Sequence, residues 1–382
     1  MRYVVTGGTG FLARRVVAHL LDQYPDAEVL SDDPRPDGAD HVINCRLAST
    51  EAALALSREL GATLHQLSSV AVAGDFAGEY TEDDFDVGQQ LPTRRHRAAF
   101  DAEQLVRMSS GVRWRIYRTG VVVGDSRTGE TDRITGPYHV FGLLARLSGL
   151  PSVTPIPLPD IGRINVVPVD YVVAALVELM CTEGLDGQTF HLTALEPIGL
   201  RQIYRGVART AGLPPLRGGL PRRMAEPILG VHGRVKVLRD MAVTQIGVPP
   251  DAIDSLETAA VFRSEWTREA LHDSGIEPPP FSSYAPALWR YWAEHLDPEH
   301  TRSGDPDGPL VGRHVIITGA SSGIGRAAAV AVAARGATVF ALARNGAALQ
   351  ELVEEIEADG GRAVAFSCDV TCLLYTSDAA DE

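Results

Sequence analysis

The first thirty residues set a pattern of strand, break and helix. Tyr3-Val4-Val5 lies in an apolar run, Arg2–Thr6, that stops at Gly7–Gly10. Beyond the break, Leu12, Val16, Leu20 and Tyr24 recur at a spacing of four, with Val17 and Leu21 beside them. That period gives one apolar helix face over Phe11–Tyr24. Short strands are expected at Glu28–Leu30, His41–Asn44 and Thr63–Leu67, and a helix at Thr50–Leu60. A polar, Pro-rich segment, Ser31–Asp40, separates the first two of these strands. Next come a helix ending near Met108 and an apolar stretch, Trp114–Val123, that reads as one buried strand. Strands alternating with helices imply a parallel sheet with helices on both faces.

Further on the pattern loosens. Residues 125–165 are rich in loops, and Val166–Val169 reads as a strand. Asp170 is expected to cap the helix that follows it, through Met180. Short helices and loops lead to an amphipathic segment, Tyr284–Leu296, whose Trp289 and Trp292 are expected to pack in the core. Asp297–Gly308 has the polar, Pro- and Gly-rich composition of a linker. A second strand–turn–helix unit then begins at His314–Thr318, with its helix reaching about Ala334. A strand at Thr338–Ala343, a helix at Ala347–Asp359 and a strand at Ala363–Ser367 complete it.

This order predicts the α/β class, with two Rossmann-type doubly wound parallel-sheet units. The first carries a smaller α-rich substrate region and the second is truncated. The expected divisions are a dinucleotide-binding domain at 1–124, a substrate region at 125–298, a linker at 299–309 and a second Rossmann unit at 310–371. Residues 372–382 break the pattern where a capped helix is due. They are expected to be a non-native tail that looks like translated sequencing-adapter read-through.

Composition narrows the partners. The 382 residues carry a formal net charge of −14, which disfavours nucleic acid, because phosphate backbones demand clustered cations. Cys45, Cys181, Cys368 and Cys372 show neither a disulfide framework nor metal-site spacing, so no metal is expected and reduced thiols in a cytoplasm fit best. No signal-peptide pattern opens the chain, and the longest apolar stretch, Ala327–Ala343, is interrupted by Arg335-Gly336 and too short to span a bilayer.

The chemistry sits at the two Gly-rich breaks. The first reads Thr6-Gly7-Gly8-Thr9-Gly10-Phe11-Leu12-Ala13, the second Thr318-Gly319-Ala320-Ser321-Ser322-Gly323-Ile324-Gly325. Small residues let the backbone approach a pyrophosphate, and the helix N-terminus presents free N–H groups to it. Each break stands between a strand and a helix, the context that gives such a pattern meaning.

Both motifs resemble the short-chain dehydrogenase/reductase superfamily. TGGTGFLA is similar to its extended branch, TGASSGIG to its single-domain branch. The extended resemblance continues through Leu67–Gly74, Gly120–Gly124 and Asn165–Tyr171, to about residue 298. The pairing of the two units resembles actinobacterial multidomain reductases related to fatty acyl-CoA reductases. The resemblance implies an NAD(P)-dependent oxidoreductase that reduces a carbonyl or acyl-thioester of a lipid-like substrate, with a homo-oligomer left open. It implies Thr6, Gly7, Gly10, Phe11, Leu12 and Ala13 as cofactor-binding residues. In the second unit it implies Gly319, Ser321, Ser322, Gly323, Ile324 and Gly325, together with Asp369-Val370 as an adenine-contacting pair. Arg344, ending a strand, can pair with a 2′-phosphate and points to NADP there. For the first unit the cofactor is NAD or NADP. Asp32 and Asp33 after the second strand would favour NAD.

The resemblance assigns Ser69 to the catalytic Ser position. The superfamily also needs a Tyr as general acid/base and a Lys four residues on, placed on one helix face. Here Arg95 and Ala99 fill those positions. Arg yields no proton at working pH, and Ala offers nothing. Its neighbour His96 points about 100° away on a helix and is expected to be a solvated surface residue. Only 36 residues separate Leu30 from Leu67, so about one βα unit is missing. A catalytically dead binding scaffold, or a fragment, therefore stands beside the enzyme reading. The second unit ends before its own Ser, Tyr and Lys, so it is expected to hold half a cofactor without catalysing alone.

Overall fold

The computed structural model describes residues 1–7, 10–31, 37–132, 134–148, 162–216, 259–296, 313–358 and 360–369, with 156, 158 and 310 besides. The chain divides into two compact units, Met1–Trp292 and Ala293–Glu382. The expected linker, the tail, the Pro-rich run at 151–155, Gly8, Thr9, Asp32, Asp33 and Val370 lie outside the described residues.

In the first unit, β1 (Arg2–Thr6) leads through the Gly-rich turn into α1 (Phe11–Gln23). There follow β2 (Glu28–Ser31), β3 (His41–Asn44), α2 (Thr50–Leu60), β4 (Thr63–Ser69), β5 (Gly78–Tyr80), α3 (Arg94–Arg107) and β6 (Trp114–Thr119). Then come β7 (Val121–Val123), α4 (Tyr138–Ser148), β8 (Val166–Pro168), α5 (Val169–Cys181), β9 (Thr189–Leu192) and α6 (Leu200–Val207). The unit closes with β10 (Ala260–Phe262), α7 (Glu265–Ala270) and α8 (Phe281–Tyr291). The main sheet runs β2-β1-β3-β4-β6-β9, every neighbouring pair parallel.

Alternation along the strands sorts the core into two layers. Tyr3, Val5 and Tyr117 face α1 and α5 through Phe11, Val16, Leu20, Val172 and Leu176. Val4, Val42, Leu64 and Ile116 face the opposite way, with Ala53, Leu54 and Val106 of α2 and α3. A parallel sheet covered on both faces is what its apolar strands require.

The order also locates the shortening. Among the described residues only β2 lies outside β1. The chain passes from β2 to the other side of β1, which puts the switch point between β1 and β3.

Three expectations change in detail. Trp114–Val123 is two strands, because Gly120 interrupts it. A Cβ on Gly120 would stand 2.6 Å from Asn165 Oδ1, and Val121 N–H donates to the Asn165 carbonyl at 2.7 Å. The chain therefore leaves β6 there and pairs β7 with β8 in a separate sheet. Asp170 sits in the first turn of α5 while Pro168 is the N-cap residue. Its carboxylate accepts from Ser126 N–H at 2.9 Å and Ser126 Oγ at 2.6 Å, so it ties a loop to the helix. The segment after α8 winds on as a π-helical turn, Trp292–Leu296. Trp289 and Trp292 are buried against Phe141, as core residues.

The second unit contains β11 (His314–Thr318), α9 (Gly323–Ala333), β12 (Thr338–Ala343), α10 (Gly346–Ala358) and β13 (Arg362–Ser367). Its three strands are parallel in the order β11-β12-β13. Val339, Ala341, Leu349, Leu352 and Ile356 form its core.

Candidate nucleotide-binding site

In an open α/β sheet a ligand crevice lies beyond the carboxyl ends of the strands, at the switch point. In the first unit those ends are Thr6 on β1 and Asn44 on β3. Thr6 Oγ1 donates to Asn44 Oδ1 at 2.9 Å, and Cys45 N–H donates to the Thr6 carbonyl at 3.2 Å. Asn44 is fully buried and acts as a hub. Its Oδ1 also accepts from Ser49 Oγ at 2.8 Å, and its Nδ2 donates to Gln66 Oε1 at 2.8 Å. The crevice floor is thus fixed by residues that glycine spacing does not reveal.

Gly7 has φ +76°, and a Cβ there would stand 3.2 Å from Arg46 Cβ. The positive φ and the close approach together favour glycine at that position. Gly10 N–H donates to the Gly7 carbonyl at 3.0 Å, closing the turn. Gly10 is also the N-cap residue of α1, with no side-chain cap and no acidic residue in the first turn. The first N–H groups of α1 are therefore available to an anion. Phe11 and Ala13 are buried and Leu12 half-buried, so they anchor the turn to the core.

The second turn has the same construction. Gly319 and Gly323 have φ +67° and +57°, and a Cβ on Gly325 would lie 2.3 Å from the Gly319 carbonyl oxygen. Ser322 is the N-cap residue of α9, again with no side-chain cap and no acid in the first turn. Ile324 is 91% exposed, so it contributes to a surface and not to the core. Arg344 is exposed at the end of β12, where its carbonyl accepts from Ser367 Oγ at 3.2 Å. Asn345 Oδ1 accepts from Ala348 N–H at 3.2 Å and starts α10. Asp369 follows β13.

Ser69 ends β4, level with Thr119 of β6. Its Oγ accepts from Ala71 N–H at 3.2 Å and caps the short turn Val70–Ala73. Ala99 is completely buried against Val70, Val72 and Ala73 of that turn, while Arg95, one helical turn earlier, is exposed. His96 differs from the expectation. Thr93 caps α3, and His96 Nδ1 meets Thr93 Oγ1 at 2.8 Å and accepts from Thr93 N–H at 3.3 Å. Burial and then the Arg95 charge hold its imidazole below the ordinary range, against the pull of Asp75. It is a capping residue that prefers to stay neutral.

Behind Ser69 lies a second feature absent from the motifs. Glu103, four residues beyond Ala99, accepts from Ser68 Oγ at 2.5 Å and from Arg118 Nη2 at 2.8 Å, all three groups buried. Arg118 Nη1 lies 3.1 Å from His191 Nε2. The signal in the sequence was the continuation of the Ala99 face by an acidic residue.

Loop residues after Gly124 reach α1: Arg14 Nη2 meets Asp132 Oδ2 at 2.5 Å, and Arg15 Nη2 meets Glu130 Oε2 at 2.8 Å. Among the described residues no cluster of His, Cys, Asp or Glu could hold a metal ion. Nor, among them, is any helix long and apolar enough to cross a membrane.

Comparison with known proteins agrees with this geometry. The male sterility protein family, an NAD-binding family, matches residues 38–176, and the short chain dehydrogenase family matches residues 313–381. The chain belongs to the short-chain dehydrogenase/reductase superfamily.

Among its superfamily relatives, the glycine betaine reductase ATRR of Emericella nidulans is 29% identical over 350 residues. That alignment takes in 85% of this chain and 26% of the fungal protein. A fatty acyl-CoA reductase of Acinetobacter baylyi is 48% identical over 60 residues, 16% of this chain and 20% of that one. The chain thus spans about a quarter of the length of the curated relatives it matches.

Solved structures share the fold. The terminal R domain of the myxalamid PKS-NRPS biosynthetic pathway superimposes with a TM-score of 0.58 at 20% identity, over 77% of this chain and 91% of that domain. The UDP-glucuronic acid 4-epimerase of Bacillus cereus, in complex with NAD, gives 0.54 at 12% identity, over 80% of this chain and 100% of its own. At these identities the likenesses show a shared fold.

Proposed function

We propose that this chain is the dinucleotide-holding part of an NAD(P)-dependent oxidoreductase that reduces a carbonyl or acyl-thioester of a lipid-like substrate. The observation that carries the reading is the construction of the two turns. Each joins a parallel strand to a helix N-terminus without a side-chain cap, through glycines at positive φ (Gly7, Gly319, Gly323) or in close backbone contact (Gly325). Thr6, Gly7, Gly10, Phe11, Leu12 and Ala13 form the first phosphate cradle. Gly319, Ser321, Ser322, Gly323, Ile324 and Gly325 form the second, and Asp369 meets the adenine. Arg344, exposed at the end of β12, is suited to a 2′-phosphate and favours NADP in the second unit. The first unit takes NAD or NADP, with one strand fewer on its adenosine side.

When bound, the nicotinamide supplies hydride. The first unit holds the dinucleotide without donating the proton. Its Ser69 is occupied in capping, the Tyr position is Arg95, and the Lys position is an alanine sealed in the core. That arrangement favours a second reading for the first unit by itself, a binding scaffold that keeps the fold and has lost the chemistry. The names of the relatives, a glycine betaine reductase and a fatty acyl-CoA reductase, support a carbonyl-level reduction for the parent protein.

Fluorescence titration of the chain with NADPH and NADH, with and without a medium-chain aldehyde or acyl-CoA, tests this. Saturable binding of a dinucleotide that the acyl ligand perturbs is expected. No binding of either dinucleotide would overturn both readings.

A further inference from the structure

Arg46 stands directly beside the first Gly-rich turn. A Cβ on Gly7 would come within 3.2 Å of Arg46 Cβ, so the arginine stem leaves the backbone where Gly7 has no side chain to obstruct it. Arg46 follows the carboxyl end of β3, and its backbone is held on both sides. Its N–H donates to Asn44 Oδ1 at 3.3 Å. Its carbonyl accepts from Ser49 Oγ at 2.9 Å and from Ser49 N–H at 3.1 Å. Cys45 N–H, one residue earlier, ties the same segment to the Thr6 carbonyl at 3.2 Å. The crevice floor, centred on Asn44, therefore fixes where this side chain starts.

The guanidinium is exposed, and among the described residues no ion pair or hydrogen bond engages it. The two arginines of α1 near the turn are already paired, Arg14 with Asp132 and Arg15 with Glu130. Arg46 belongs to a different element from α1, and the two meet across the switch point between β1 and β3. One side brings the free N–H groups of a helix start without an acidic residue, the other a fixed cation. Two positive features converging on one crevice favour an anion between them.

We propose that Arg46 is a phosphate-binding residue of the first cradle, its guanidinium pairing with the pyrophosphate of the dinucleotide. This rests on the dinucleotide reading of the first turn, and it adds a side-chain cation to a site otherwise built from backbone N–H groups. In such sheets the pyrophosphate sits at the helix N-terminus after the first strand, and the adenosine ribose leans on the end of the second. The second strand here is β2, on the far side of β1 from Arg46. The arginine therefore meets the diphosphate that NAD and NADP share, and not a 2′-phosphate. Its planar fork matches phosphate oxygens in a bidentate way.

The test is calorimetric titration of the full chain carrying Gly325→Val, which obstructs the second cradle, with R46Q and R46K added in turn. R46Q is expected to bind NADH and NADPH each about tenfold more weakly, the scale of a charge-assisted contact. R46K, which keeps the charge and loses the fork, is expected to retain part of the affinity. ADP should weaken by the same factor in R46Q and adenosine not at all. The melting temperature should hold, because the side chain is exposed. Equal affinity in R46Q and its parent would overturn the proposal. So would a loss confined to NADPH, which assigns Arg46 to the 2′-phosphate, or one shared by adenosine, which assigns it to the nucleoside. Tighter binding in R46Q would overturn it as well, by showing that the arginine obstructs the crevice. A Gly325→Val parent that binds neither dinucleotide would contradict the reading of the first turn itself, so the two failures are distinguishable.

Discussion

Arg118 and Glu103 face each other at 2.8 Å with no exposure of either side chain to solvent. A buried ion pair is poor evidence of stability as such, but removing one partner strands the other charge in a dry interior. Ser68 Oγ also donates to Glu103, so the carboxylate binds β4, β6 and α3 together just behind Ser69.

Glu103→Ala should therefore destabilise the first unit by about 3–5 kcal/mol, the cost of an uncompensated buried charge. Urea unfolding of the two proteins measures this. A loss within about 0.5 kcal/mol, the usual range for an innocuous surface change, would contradict the account.

Restoring the Lys is expected to fail on packing grounds. Ala99 has no exposure and touches Val70, Val72 and Ala73. In Ala99→Lys the longer chain and its ammonium must enter that contact. We expect a loss of about 2–4 kcal/mol from overpacking and charge burial. Thermal melts of A99K and of R95Y/A99K check it. An undiminished melting temperature with new reductase activity would show that the site needed only its missing residues.

Gly120→Ala tests the bend between β6 and β7. Its Cβ would press on Asn165 Oδ1 and on the Asn165 carbonyl, at 2.6 and 2.8 Å. Asn165 in turn holds Ala194 by two hydrogen bonds, of 3.0 and 2.8 Å. A loss of about 1–3 kcal/mol in urea unfolding is expected from this overpacking. The melting temperature of the first unit should fall with it.

The acid limb of stability depends on a chain of polar rings in the sheet. His41 Nδ1 lies 3.0 Å from His65 Nε2, and His65 Nδ1 lies 2.8 Å from Tyr117 Oη. Burial first, then His41 and Arg115, hold His65 well below the ordinary histidine range. Burial and Arg118 do the same to His191. A depressed folded-state pKa means that the unfolded chain binds the proton more tightly. The stabilising effect of the neutral rings is thus complete above pH of about 6.5 and fades as the pH falls below it. Melting temperatures should drop between pH 7 and pH 5, and His65→Phe should reduce that slope. A slope unchanged in H65F would contradict this assignment.

Much of this was legible in the sequence, for physical reasons. His41–Asn44, Thr50–Leu60, His314–Thr318 and Thr338–Ala343 have the expected bounds, since periodicity reports burial directly. The short spacing between Leu30 and Leu67 accords with a sheet in which, among the described residues, only β2 lies outside β1. Gly120 hid its role, because an apolar run on both sides reads as one strand and only the approach of Asn165 shows the break. Asp170 and His96 illustrate the opposite limit. Their residue types suit a helix start, yet which backbone or side-chain group each one serves depends on tertiary neighbours. The roles of Asn44 and of Arg118 as the partner of Glu103 were invisible because those partners are distant in sequence.

The central claim is that the two Gly-rich turns hold dinucleotide. Calorimetric titration of NADPH into the wild-type chain, Gly7→Val, Gly325→Val and the double variant tests it most directly. A Cβ at either site collides with the turn or forces a left-handed backbone on a branched residue. The account predicts saturable binding in the wild type, reduced heat in each single variant, and none in a double variant that still melts cooperatively. Wild-type protein that binds neither NADPH nor NADH, or a double variant that binds as well as wild type, would contradict it.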